Sequence, residues 1–342
     1  MHAVVFDSFG DTNVLDYREV APPALRPDEV LVRLHRAAVN HLDLDIRSGV
    51  SGMTVARPHV LGTEGVGEVV ELGVTVADWQ VGRRVGTYAF HTCGLCDNCR
   101  AGRINMCTAI RTLGGDRWGT YATHIAVHQS QLVAIPDALG DEPAIASYKY
   151  ATAWEALVDT MKLQSGETVL VIGAAGGVGS AATQLAVHLG AHVIGAAGSA
   201  QKTAYVEGLG AAQCIDYSQE DLAEAVLRYT GGVGADVVFD VAGGETLRQA
   251  VKATRHGGRI AVVGAHAGEE VTIDFVDLFR RHISIHGCGR YTPAILARVF
   301  EMLGAGLPAA AIAGRFPLKD AAQAHIAMAQ RDFVGRFVLI QP

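Results

Sequence analysis

No uninterrupted apolar run in this 342-residue chain approaches the ~20 residues that a membrane-spanning helix needs, so no membrane partner is expected. Long basic blocks are missing too, and with a formal net charge of −7 the chain is a poor candidate for nucleic-acid binding. Nothing basic precedes the apolar HAVVF that follows Met1, so the sequence predicts no secretory leader and a cytoplasmic address. Internal repeats and low-complexity segments are absent. Charged residues make up only 18% of the chain against 49% hydrophobic, which excludes wholesale disorder and suits a well-buried enzyme. The length exceeds what one core usually supports, so two domains are expected.

What is present is organised around TVLVIGAAGGVGSAATQLAVHL, residues 168–189. Val169 to Ile172 read as a buried parallel strand, and Ser180 to Leu189 read as a helix packed on it. Gly173 suits the sharp turn, Gly176 the close approach of a ligand, and Gly179 the contact of helix with strand. The amides of Gly177 and Val178 open the helix, whose positive end can hold a pyrophosphate without a basic side chain. Ala174 stands where the commonest fingerprint has its first glycine, and an empty strand-to-helix turn is the bland alternative.

Two rhythms surround this stretch. Residues 1–135 carry short strands separated by Gly, Pro and Asp, as in EVLVRLHRAAV (Glu29 to Val39) and GVGEVVELG (Gly65 to Gly73), which suits a small antiparallel barrel. After Pro136 strands and helices alternate. Strands are expected near Thr168, His192, Cys214, Ala235, Gly257 and His282, making a doubly wound parallel sheet over 136–289. A helix at Pro293 to Leu303 and a strand at Arg336 to Ile340 are expected to return residues 290–342 to the first domain.

Four of the six cysteines, Cys93, Cys96, Cys99 and Cys107, fall in CGLCDNCRAGRINMC inside a lobe spanning 91–118. Such spacing lets four thiolates converge on one cation, and a closed Cys₄ set predicts one structural zinc with no open position for chemistry. Disulfides and tetrahedral iron are the alternatives. Cys214 and Cys288 read as small buried hydrophobes.

The cofactor can be argued from another absence. A dinucleotide fold that prefers NAD usually carries Asp or Glu at the end of its second strand, yet no acid occurs between Gly176 and Glu207. Ser199, Lys202 and Tyr217 follow the strand ends instead and can all donate to a 2′-phosphate, which favours NADPH.

The barrel-like first part, the four-cysteine lobe, the turn AAGGVG and the closing strand together resemble the medium-chain dehydrogenase/reductase superfamily over essentially the whole chain. The implied fold is α/β: a GroES-like β-barrel domain plus a Rossmann doubly wound parallel sheet. The stretches VNHLDLDIRSG (Val39 to Gly49) and LGTEGVGEV (Leu61 to Val69) resemble the quinone-reductase and enoyl-reductase branch. By the same resemblance, the two Cys and one His that hold catalytic zinc in the zinc alcohol dehydrogenases fall on Asn40, Thr63 and approximately Tyr148. An amide, a hydroxyl and a phenol are poor replacements, so no catalytic zinc is expected. His41 with Glu64 is the rival ligand pair, disfavoured if an extended chain points His41 away from Asn40.

The resemblance also implies cofactor contacts at Thr152, at Val263, Gly264 and Ala265, at Cys288, and at Arg336, whose alternative is a surface arginine. Asn40, with His41 or Tyr148 as helpers, is the candidate donor set for a carbonyl or quinone oxygen. The implied reaction is hydride transfer from NADPH to a quinone or α,β-unsaturated carbonyl. An alcohol dehydrogenase with a non-standard zinc site and a cofactor-binding protein without turnover are the rivals. The strand HISIHGCG resembles the sheet-edge strand of this superfamily's dimers, so a homodimer or tetramer is expected.

Overall fold

The computed structural model describes all residues, 1–342, and divides into two compact units: Met1–Tyr148 with Thr292–Pro342, and Lys149–Tyr291.

The first unit is mainly antiparallel. One sheet sets β1 (His2–Phe6) between β2 (Asp16–Glu19) and β4 (His59–Val60). The larger sheet begins with β10 (Leu132–Ala134), β6 (Arg84–Thr87), β5 (Gly65–Leu72) and β3 (Glu29–Ala38), and continues to β18 (Arg336–Ile340) and β17 (Ile312–Pro317). β9 (His124–His128) also pairs with β3. Alternation along β3 turns Val30, Val32 and Leu34 into a core with Val69, Val85, Ile125 and Val127. A second core joins Phe6, Leu61, Tyr121 and Leu339. β7 (Phe90–His91) and β8 (Arg111–Thr112) form a two-stranded ribbon, and α2 (Asp97–Arg100) lies in the segment joining them.

Helices complete this unit: α1 (His41–Ser48), α3 (Asp141–Ala146), α10 (Pro293–Gly304) and α11 (Ala321–Ala329). α3 corrects the expected boundary at Pro136. Its Asp141 accepts from Arg84 Nε at 3.0 Å and pairs with His35 Nδ1 at 2.7 Å, so these residues are fastened to β6 and β3. The unit therefore runs on to Tyr148. β17 and α11 were not foreseen, because their short apolar groups carry no strong period.

The second unit is a six-stranded, wholly parallel sheet in the order β13-β12-β11-β14-β15-β16. Its strands are β11 (Thr168–Ile172), β12 (His192–Ala197), β13 (Gln213–Asp216), β14 (Ala235–Asp240), β15 (Thr254–Val262) and β16 (Ser284–Gly287). The crossovers carry α5 (Gly177–His188), α6 (Ala200–Gly208), α7 (Leu222–Tyr229), α8 (Gly244–Ala253) and α9 (Phe275–Arg280), and α4 (Lys149–Trp154) precedes them. Reversal of strand order between β11 and β14 makes the switch point where such sheets take ligands. Leu170, Ile172, Ile194, Val238 and Ile260 form the core beneath α7 and α8. No helix is long and apolar enough to cross a membrane.

Candidate active site and metal centre

The glycines at the switch point serve three different purposes. Gly173, with φ +73°, turns the chain in a conformation that side chains resist, and its amide and that of Ala174 both donate to the Ala196 carbonyl at 3.0 Å. A Cβ on Gly179 would stand 2.2 Å from the Gly173 carbonyl oxygen and 2.8 Å from Ala174 Cα, so helix and strand meet only because it is absent. Gly176 differs. Its backbone is extended (φ −75°, ψ 169°), and a Cβ there would meet nothing closer than the Gly173 oxygen at 3.4 Å. Protein packing therefore does not require a glycine at 176, and the exposed space over it is open to a ligand. The amides of Gly177, Val178 and Gly179 lie in the first turn of α5, where no intrahelical acceptor exists. This cradle fits a pyrophosphate.

At the end of β12, Ser199 caps α6, and its Oγ accepts from the Lys202 amide at 3.4 Å. The hydroxyl proton is not used in that bond and is left to donate. The Tyr217 ring lies against Gly198, where a Cβ would stand 3.1 Å from the phenol oxygen. Ser199, Lys202 and Tyr217 thus gather around one strand end. Burial, and then Asp216, raise the Tyr217 phenol above its ordinary range, so it remains a donor. Asp216 is an acid the sequence argument passed over. It sits beside Ala197 in the sheet register, but its carboxylate is engaged by Ser218 Oγ at 2.6 Å and the Ser218 amide at 3.0 Å.

The carboxyl ends of β14, β15 and β16 also converge. The Val263 amide donates to the Asp240 carbonyl at 2.8 Å, and the Cys288 amide to the Val262 carbonyl at 2.9 Å. A Cβ on Gly264 would stand 2.7 Å from the Val241 oxygen, so this loop, with Ala265 next, lies close to the one after β14. Cys288 is buried, its thiol pushed up to about 11 by burial and then Glu155, so it is an inert group. Thr152 is half-buried on α4, one turn before Glu155. Glu155 opens a π-helical turn (Glu155–Thr160); one carboxyl oxygen accepts from Thr160 at 2.8 Å while Oε2 is buried without a partner. An acid inside the apolar YATAWEAL was its only sequence signal.

In the first unit Asn40 caps α1, and its amide donates to Asp43 Oδ2 at 2.8 Å. The segment is helical from His41, so the extended-chain argument about His41 fails; His41 is the half-buried first residue of the helix. Asn40 Nδ2 donates to Thr63 Oγ1 at 3.1 Å, and Asn40 Oδ1 accepts from Arg336 Nη2 at 3.0 Å. Arg336 also forms a buried ion pair with Glu64 and donates to the Ile145 carbonyl at 3.1 Å. This corrects both readings of Arg336. It is neither a surface arginine nor a free cation waiting for a pyrophosphate, because its charge is consumed by Glu64. Tyr148 is corrected as well: it is fully buried against Phe300, its hydroxyl donates to the Gly65 carbonyl at 2.8 Å, and burial raises it far above its usual range. It is a packing residue rather than a proton donor. Thr63, passed over as a donor, holds the better position, since its oxygen already accepts from Asn40 and its proton is left to give.

The sulfurs of Cys93, Cys96, Cys99 and Cys107 all lie within 4.8 Å of one another. Zinc–sulfur bonds of about 2.3 Å in a tetrahedron require sulfurs about 3.8 Å apart, so the cage fits this ion after slight contraction. Amides of Leu95 and Cys96 point at Cys93 Sγ at 3.4 Å, which favours the thiolate that a metal needs.

Residues 26–137 match the alcohol dehydrogenase GroES-like domain, and residues 177–305 match the zinc-binding dehydrogenases. A quinone oxidoreductase from Pseudomonas aeruginosa is 31% identical over 347 residues, covering 98% of either chain. The chain belongs to the medium-chain dehydrogenase/reductase superfamily. This dehydrogenase/reductase superpose on the crystal structure of an NAD-dependent alcohol dehydrogenase with a TM-score of 0.94 at 37% identity, over 99% of both chains. A Sinorhizobium meliloti 1021 protein crystallised with NADP gives a TM-score of 0.90 at 29% identity, over 99% of this chain and 98% of that one. The GroES-like domain and the parallel dinucleotide-type sheet are those of the superfamily, and its members are oxidoreductases.

Proposed function

We propose that this oxidoreductase is an NADPH-dependent reductase of quinones or α,β-unsaturated carbonyls that works without a catalytic metal, while its four-cysteine lobe holds one structural zinc. The observation carrying the reading is the donor set at the positions that resemble the catalytic-zinc ligands. Asn40 and Thr63 are hydrogen-bonded to each other, and Tyr148 is spent on a backbone carbonyl. Neutral amide, hydroxyl and phenol groups hold a borderline-soft cation poorly. Glu64, half of the rival ligand pair with His41, is already paired with Arg336.

Bound NADPH supplies the hydride. The remaining work falls to the chain's own groups. The Thr63 hydroxyl and the second Nδ2 hydrogen of Asn40 are donors for the oxygen on which charge develops in a reduced enone or quinone. Arg336 fixes Asn40 Oδ1 and thereby the direction of its amide hydrogens. His41 or water delivers the proton. Thr152, Val263, Gly264, Ala265 and Cys288 border the nicotinamide; Gly176, Gly177, Val178 and Gly179 hold the pyrophosphate; Ser199, Lys202 and Tyr217 hold the 2′-phosphate. An unactivated alcohol lacks a conjugated acceptor and would need its alkoxide stabilised as the hydride leaves, work that in the zinc alcohol dehydrogenases falls to a metal and that neutral Asn40 and Thr63 do poorly. Two copies pair through β16, an exposed sheet edge; on α9, which precedes it in the chain, Phe275 and Phe279 are 75% and 61% exposed.

A panel of quinones, enones, enoyl thioesters and alcohols, each with both cofactors, tests the reading. Turnover of quinones or enones with NADPH is expected. Alcohol oxidation with NAD by a protein carrying two zincs would replace this reading with that of the alcohol dehydrogenases, and NADPH binding without any turnover would replace it with a non-enzymatic one.

A further inference from the structure

The first unit also buries a cation that no carboxylate touches. Arg47, near the end of α1, is 7% exposed, and its one hydrogen-bonded guanidinium nitrogen is Nη1, 3.3 Å from His325 Nδ1. Its Nε is buried and unbonded. His325 does not balance the charge. With Nδ1 accepting from Arg47, Nε2 carries the ring proton toward Tyr121 Oη at 3.1 Å, and Tyr121 in turn donates to Asp43 Oδ2 at 3.2 Å. Asp43 is itself gripped by the amides of Asn40 at 2.8 Å and Gly62 at 3.1 Å. This chain of bonds holds the guanidinium from behind.

Beside it lies an open surface cavity of about 540 Å³, lined by Arg47 and His325 together with Asp11, Thr12, Ile326 and Gln330. A buried guanidinium with no carboxylate in contact is costly, because Asp11 reaches it only through space, and an incoming anion recovers part of that cost. The rim narrows the choice of anion. Asp11 is exposed and acts on Arg47 only through space, so it opposes a dianion, while Ile326, 41% exposed, offers an apolar wall. Thr12 and Gln330 add neutral polar groups. We propose that this cavity binds a small organic monocarboxylate, its charged end on the Arg47 guanidinium and its hydrocarbon part against Ile326.

Calorimetric titration of the full chain with butyrate, acetate, inorganic phosphate and chloride at matched ionic strength tests this. Saturable butyrate binding is expected, with acetate weaker because it lacks the hydrocarbon. Asp11→Asn should tighten butyrate roughly threefold by removing a like charge. Arg47→Gln should abolish binding. Because that variant disturbs a buried group, Ile326→Asp on the exposed wall is the second probe, and it should abolish binding while its melting temperature stays near that of the wild type. Butyrate indistinguishable from chloride, butyrate binding unchanged in Ile326→Asp, or phosphate saturating while butyrate is silent would each overturn the proposal. None of these readouts depends on reductase activity.

Discussion

Replacing Gly176 and Gly179 separately by alanine puts the same methyl group at two sites where the structure demands opposite outcomes. At Gly179 the new carbon would stand 2.2 Å from the Gly173 carbonyl, far inside contact distance, so α5 must move off β11. Overpacking of this kind costs about 1–3 kcal/mol. For a unit of this size that is a fall in melting temperature of roughly 3–10 °C. At Gly176 the methyl meets only one atom at 3.4 Å, on an extended backbone that alanine adopts freely. Stability should hold or rise by less than about 1 kcal/mol, since alanine restricts the unfolded chain. The same methyl, however, occupies the space over the first amides of α5. Losing one charge-assisted contact there is worth ~1.5–3 kcal/mol, so NADPH should bind tens-fold more weakly. Fluorescence titration with NADPH beside a calorimetric melt separates the two effects. A folded Gly176→Ala protein with wild-type affinity would show that the turn holds no pyrophosphate, and an equally stable Gly179→Ala would refute the packing argument.

Lys202→Ala should lower kcat/KM for NADPH tens-fold and leave NADH nearly untouched, a loss of ~1.5–3 kcal/mol; a wild type that prefers NADH would defeat the assignment. Arg336→Met strands the buried Glu64 and should cost about 3–5 kcal/mol in urea melts, part of it restored by adding Glu64→Gln; a loss near zero would contradict the buried pair. Elemental analysis should give one zinc per chain, and Cys96→Ser should lower the melting temperature before activity suffers, whereas two zincs together with chelator-sensitive turnover would refute the metal-free reading. Burial and then Arg47 push His325 down to about 3, so its contribution to stability is present at neutral pH and lost as pH falls below the unfolded value of 6.5. Asp43, raised to about 7 chiefly by burial, works in the opposite direction between 3.8 and 7 and is retained in His325→Gln. The cost of His325→Gln should therefore shrink by on the order of 1–2 kcal/mol between pH 6.5 and 5, and a pH-independent cost in matched melts would count against a buried neutral imidazole.

Local chemistry made part of this molecule legible from its residues alone. The strands of the parallel sheet announce themselves as apolar runs, because a strand covered on both faces has no polar side to show. The glycine turn is legible for the same kind of reason: Gly173 and Gly179 are fixed by backbone φ and by a 2.2 Å contact, both local to a few residues. The cysteine lobe is legible because all four ligands lie within fifteen residues, so spacing itself brings them together.

What only the tertiary structure decided involves partners far apart in the chain. Arg336 meets Glu64 and Asn40 across 272 and 296 residues, and no period or motif encodes that meeting. The sequence therefore offered Arg336 as a free cation, and packing turned it into the counter-ion of a buried acid. Tyr148 changed from candidate acid to wall for the same reason, its hydroxyl being spent on Gly65, 83 residues earlier. α3 sits beyond a change of rhythm at Pro136 yet belongs with the first unit, because Arg84 and His35 hold Asp141. Side-chain type sets what a residue can donate, accept or ligate. Whether that capacity is still free depends on which distant group the fold has already placed against it.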